Sequence, residues 1–118
     1  MTALYEVELT PEGKQTNAPL GGVRIRHKAP NGEKATEAAY PMSGGVAASF
    51  ANSSSDFRFA FATAAFADVL RGGQDAEHWS LADIRDMAKA AAGDNAERRE
   101  LVSLIEKTMT LTGRTAIR

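Results

Sequence analysis

The tightest cluster of groups able to bind a metal or move a proton lies in "GGQDAEHW", where Asp75, Glu77 and His78 fall within four residues. Two carboxylates and an imidazole supply the oxygen and nitrogen ligands that a divalent cation takes. They lack a second histidine and the i, i+4 spacing that sets zinc ligands on one helix face. The run also sits between two helical patterns, so it reads as a polar interhelical loop. His27 is the other imidazole, and its alternating neighbours place it on the inner face of a strand as a hydrogen-bonded or half-buried histidine. No Gly-x-Ser-x-Gly elbow is present for a serine hydrolase. "TPEGKQ" lacks the preceding glycine and the Ser/Thr of a phosphate-binding loop. With no cysteine in the chain, disulfides, thiol catalysis and thiolate metal sites are excluded.

The remaining carboxylates belong to a different pattern. Asp83, Asp86, Asp94, Glu97, Glu100 and Glu106 alternate with Arg85, Lys89, Arg98, Arg99 and Lys107. Opposite charges three and four residues apart are the signature of a solvated helix face. Choosing an acid–base pair among them would be arbitrary, so no catalytic, cofactor-binding or metal residue is assigned.

The elements that hold these residues divide the chain in two. Residues 3–42 have strand character. In "ALYEVEL" Ala3, Tyr5, Val7 and Leu9 share one face, and Leu4, Glu6 and Glu8 share the other. "TPEGKQTNAPLGG" reads as a long loop. In "VRIRHK" Val23, Ile25 and His27 point one way and Arg24, Arg26 and Lys28 the other. Pro-Asn-Gly then signals a reversal into "ATEAAYPM", where Ala38, Tyr40 and Met42 form the inner face and Pro41 marks an edge or a strand end. Glu6 and Glu8 complement the Arg24–Arg26–Lys28 stripe, which favours an antiparallel sheet with one solvated, salt-paired face. A nucleic-acid role for that stripe would call for aromatics interleaved with it, and none are.

Helical character begins after "SGGVAASFANSSS". Ser53–Ser55 offer capping hydroxyls, Asp56 suits the first turn, and Gly72 and Gly73 supply a stop. Between them, at about 100° per residue, Phe57 and Phe61 fall on one side with Ala64, while Phe59, Phe66, Ala62 and Leu70 gather on the other. An apolar surface on two sides predicts a central, buried helix over about 56–71, with the sheet on one side and the later helices on the other. A second helix follows Ser80, whose pairing with Asp83 resembles a capping box, with Leu81, Ile84, Ala88 and Ala91 as its stripe. Trp79 just before it reads as a staple or core anchor. The third helix carries Leu101, Leu104, Ile105 and Met109 on its apolar face and ends at Gly113, and "RTAIR" is expected to fray. The expected class is therefore α+β, a small antiparallel sheet of about three strands (3–42) followed by three helices (55–112).

A chain of 118 residues with 14 Lys+Arg against 15 Asp+Glu predicts one domain, 1–118, and gives no whole-chain reason to expect nucleic acid or an acidic membrane as a partner. No apolar run is long enough to span a bilayer, and "MTALYEVELT" has no signal-peptide pattern. Strand-like residues follow Met1 almost at once, so the expectation is a fragment of a larger protein with any export signal upstream.

"TALYEVELTP", the "YP" strand end and above all "SSSDFRFAFATAAFADVLRGG" resemble the C-terminal domain of bacterial von Willebrand factor type A (VWA) domain-containing proteins. "ELVSLIEKTMTL" resembles that domain's closing helix, so the likeness runs from Thr2 to Leu111. Proteins of that kind carry a metal-ion-dependent adhesion site, Asp-x-Ser-x-Ser, in their VWA domain. "NSSSD" does not have that order, so no metal ligand is transferred to this chain and no cofactor is expected. The resemblance implies a non-catalytic accessory or protein–protein interaction domain whose partner is the VWA domain of its parent chain, in an exported, envelope-associated bacterial protein. It also implies further strands ahead of "TALYE", whose loss would bare a sheet edge and permit an edge-strand homodimer. The alternative is a small-molecule or metal-binding module centred on "GGQDAEHW" or the loop at 10–22. Neither nucleic acid nor direct membrane insertion is expected.

Overall fold

Among the described residues, three α-helices, a short 3₁₀ turn at Phe50–Asn52 and a two-stranded antiparallel sheet make up the regular structure, an α+β architecture. The structure is a computed structural model and describes residues 2–14, 20–42, 46–73 and 78–113. The chain falls into two compact units: Glu6–Val46, and Met1–Tyr5 with Ala47–Arg118.

The first unit is a hairpin of β1 (Gly21–Lys28) and β2 (Ala35–Met42). Its turn follows from Pro-Asn-Gly. Asn31 takes a left-handed φ of 62°, and the Gly32 N–H donates to the Ala29 carbonyl at 2.8 Å. That is a type II reversal, with proline fixing the first central residue and asparagine tolerating positive φ at the second. The register sets Val23 opposite Tyr40, Ile25 opposite Ala38 and His27 opposite Thr36. The inner face read from the alternation is thus assembled as expected, and Arg24, Arg26 and Lys28 share the other face.

Residues 3–9 depart from the sequence reading. They form no strand, so the sheet has two strands rather than about three. Alternation gives a segment two faces, but a strand exists only once a neighbour supplies a ladder of hydrogen bonds. The expected pairing of Glu6 and Glu8 with the basic stripe across this sheet is accordingly not made. After Thr10 the chain makes a tight turn instead, with the Thr10 hydroxyl accepting from the Gly13 N–H.

The second unit is built on three capped helices. In α1 (Ser55–Arg71) Ser54 Oγ accepts from the Phe57 N–H at 3.1 Å, and Gly72 closes the helix in the left-handed region. In α2 (Leu81–Ala92) the reciprocal pair is complete: the Asp83 N–H donates to Ser80 Oγ, which donates to the Asp83 carboxylate. Asn95 caps α3 (Ala96–Thr112) through the Arg98 N–H, and Gly113 ends it. The core joins Ala62 and Phe66 of α1, Leu81, Ile84, Ala88 and Ala92 of α2, and Val102 and Ile105 of α3. Alanines at these positions let α2 approach both neighbours closely.

Two core assignments shift. On α3, Val102 is buried and Leu104 is exposed, because Val102 and Ile105 lie one turn apart on the side that meets α2. On α1 only Ala62 and Phe66 are buried, and Phe57 remains 45% exposed, so the helix is not sealed on two sides. Its Phe59–Phe66 side enters the three-helix core. Its Phe57–Phe61 side meets Phe50 and Trp79, with ring centroids 5.2–6.0 Å apart and steeply inclined planes. The four phenylalanines of α1 therefore serve two different clusters. The frayed end predicted for "RTAIR" lies outside the described residues.

Candidate functional site

The chemistry suggested by residue type does not converge. Among the described residues, no three His, Asp or Glu side chains come together in a way that could hold a metal ion. Asp75 and Glu77 lie outside the described residues, so "GGQDAEHW" is represented only by its ends. Of these, His78 is exposed and Trp79 stands edge-on to Phe61 as an anchor of the aromatic cluster. His27 is exposed rather than half-buried, because the hairpin face that carries it is open. Three of the six carboxylates hold structural posts: Asp83 in a cap, Asp86 beside Arg85, Asp94 beside Arg99. Exposed pairs of this sort contribute little, about 0–1 kcal/mol each.

Among the described residues, Arg98 is the most connected polar side chain. Its guanidinium donates to the Ala91 carbonyl at 3.1 Å, bridges to Asp56 at the start of α1, and stacks 4.8 Å from the centre of the Phe59 ring. One cation thereby ties the end of α2 and the beginnings of α1 and α3. Its partners are all intramolecular, which makes it a clamp on the helices.

A different kind of site emerges on the hairpin. Val23, Ile25, Tyr40 and Met42 share one face and are each between 43% and 56% exposed. The opposite face presents Arg24, Arg26 and Lys28 against a single acid, Glu37. Each strand has one ladder partner, so β1 and β2 both have an outer edge with no strand beside it among the described residues. Pro41 lacks an N–H and weakens the outer edge of β2 as a template, which leaves the edge of β1 as the more complete row of donors and acceptors. A shallow concavity at the open end of the hairpin is lined by both strands, Gly22, Val23 and Arg24 of β1 with Ala39, Tyr40 and Pro41 of β2.

Residues 3–9 carry matching chemistry. Tyr5 and Val7 alternate with Glu6 and Glu8 and are 83% and 71% exposed, far more than apolar side chains with a packing partner. The sequence foretold both faces of the hairpin. It did not foretell that they would stand uncovered, because alternation encodes which residues share a face and not what lies against it.

Residues 2–111 match the family described as "Uncharacterized protein YfbK, C-terminal". No curated protein and no solved structure matches the chain.

Proposed function

The chain belongs to the YfbK C-terminal family, and from that premise we propose that it is a non-catalytic accessory domain that binds protein through its hairpin. The observation that carries this reading is the hairpin's open surface. A two-stranded hairpin alone is marginal in water and gains stability when a third strand or a packed layer covers its apolar face. Here Val23, Ile25, Tyr40 and Met42 supply an apolar face, Arg24, Arg26 and Lys28 supply charge, and β1 supplies an unpaired edge. That combination suits β-strand addition, in which backbone hydrogen bonds give affinity and alternating side chains give selectivity.

The likeness of "SSSDFRFAFATAAFADVLRGG" to VWA-associated domains supports a specific partner, the VWA domain of the same parent protein, and an envelope-associated setting for the pair. The test is a pull-down of this chain with the upstream VWA segment of its parent, with and without Mg²⁺. Association that Ile25→Glu abolishes is the expected result, and a Mg²⁺ dependence would tie the domain to the ligand state of the VWA metal site. Absence of association in both conditions overturns the VWA partnership. Association unaffected by Ile25→Glu overturns the hairpin as the surface used.

A further inference from the structure

Resting on the reading of the hairpin as a strand-accepting surface, we propose that residues 3–9 are themselves a ligand for it, donated by a second copy of the chain. The segment adds beside β1 as a third strand, and the exchange is reciprocal, each copy giving one strand and receiving one.

From Tyr5 to Glu8 the two faces of donor and acceptor agree, Leu4 being the one apolar residue on the acidic side. Laid against β1 with Tyr5 and Val7 on the side of Val23 and Ile25, the segment extends the apolar face. The same placement necessarily turns Glu6 and Glu8 toward Arg24, Arg26 and Lys28, because side chains alternate strictly along a strand. A slip by one residue would set tyrosine and valine among the cations and the acids on the apolar face, so the register is specified by chemistry on both sides. On β2 the basic face is answered by only Glu37 opposite Arg26, with Ala39 opposite Arg24 and Ala35 opposite Lys28. The donor supplies the missing acids.

The second copy is the occupant because the chain leaves this pairing unmade with itself. Residues 6–9 fall in the same compact unit as β1 yet are in no ladder, although the edge of β1 is without a neighbour among the described residues. Once the turn at Thr10–Lys14 opens, giving up its two hydrogen bonds, the 11 residues from Thr10 to Leu20 can extend about 36–40 Å, ample reach for a strand to cross to another molecule. Reciprocal donation gives an isologous, closed dimer instead of a growing fibre.

Charge reversal tests this directly. Sedimentation velocity of the full chain over a concentration series should show a monomer–dimer equilibrium. Glu6→Lys/Glu8→Lys and, separately, Arg24→Glu/Arg26→Glu should each weaken the dimer by roughly 10- to 100-fold. Mixing the two variants should restore it, since lysine strands then meet glutamate edges and glutamate strands meet arginine edges. Helical circular dichroism of each variant should equal that of the wild type, which separates lost pairing from lost folding. A wild-type chain that stays monomeric overturns the proposal, including the case where residues 3–9 close onto β1 of their own molecule. A dimer indifferent to both reversals, or variants that do not rescue each other, also overturns it. If the dimer is absent while Ile25→Glu still abolishes binding to the VWA segment, only the self-donated strand is wrong. If the dimer forms and the VWA segment does not bind, the parent-chain partnership fails instead.

Discussion

Arg98 shows how a single side chain in this small protein can matter through geometry more than through charge. Its ion pair with Asp56 is poorly sheltered, the Asp56 side chain being 80% exposed, so the pair itself should contribute only a few tenths of a kcal/mol. The bond to the Ala91 carbonyl and the stacking on Phe59 are better shielded and add about 0.5–1 kcal/mol each. Arg98→Ala should therefore lower stability by about 1–2 kcal/mol, and Asp56→Asn by less than about 0.5 kcal/mol, measured by urea unfolding of the helical signal. Equal losses in the two variants would mean that the ion pair dominates. A larger effect belongs to Ile84 and Ile105, which are fully buried at the junction of the three helices. Ile84→Ala should cost about 2–5 kcal/mol, and Ile84→Val about 0.5–1.5 kcal/mol, in the same assay. Against the few kcal/mol available to a helical unit of this size, the alanine variant should be largely unfolded at 37 °C.

Among the elements, what the sequence made legible divides along a physical line. The helix boundaries that were readable rest on local chemistry: Ser54 and Ser80 each cap through a side-chain oxygen, and Gly72 and Gly113 stop α1 and α3 in the left-handed region, whereas the Asn95 cap of α3 was overlooked. Ser80→Ala should cost about 1 kcal/mol and fray the first turn of α2, visible as faster amide exchange at Asp83 and Ile84. The hairpin was readable for the same reason, since Asn31 and Gly32 make its turn from within. Residues 3–9 were misread because a strand needs a partner, and no local signal reports whether one is present. Leu104 was misplaced, and Val102 overlooked, because both lie within one turn of Ile105 and only the position of α2 decides which is covered. The double-sided helix α1 was read as buried in full. In fact Phe50, which opens a single 3₁₀ turn at Phe50–Asn52, meets the Phe57–Phe61 side of that surface together with Trp79.

For the molecule as a whole, the open hairpin face sets a conflict between solubility and recognition. Val23, Ile25, Tyr40 and Met42 bordering an unpaired edge are the combination that invites edge-to-edge association. A formal net charge of −1 offers almost no long-range repulsion to oppose it. The basic stripe on the reverse face, with Glu37 as its one ladder acid, leaves the edge itself open. Replacing Ile25 and Tyr40 by threonine keeps two residues that favour strands while removing most of the apolar face. Ile25→Thr/Tyr40→Thr should therefore raise the ammonium sulfate concentration at which the chain precipitates. It should leave the thermal transition of the helical signal in place, and it should weaken binding by any partner that uses this face. If precipitation is unchanged, the apolar surface that governs association lies elsewhere, and the exposed aromatic edge formed by Phe50, Phe57 and Trp79 becomes the next surface to alter.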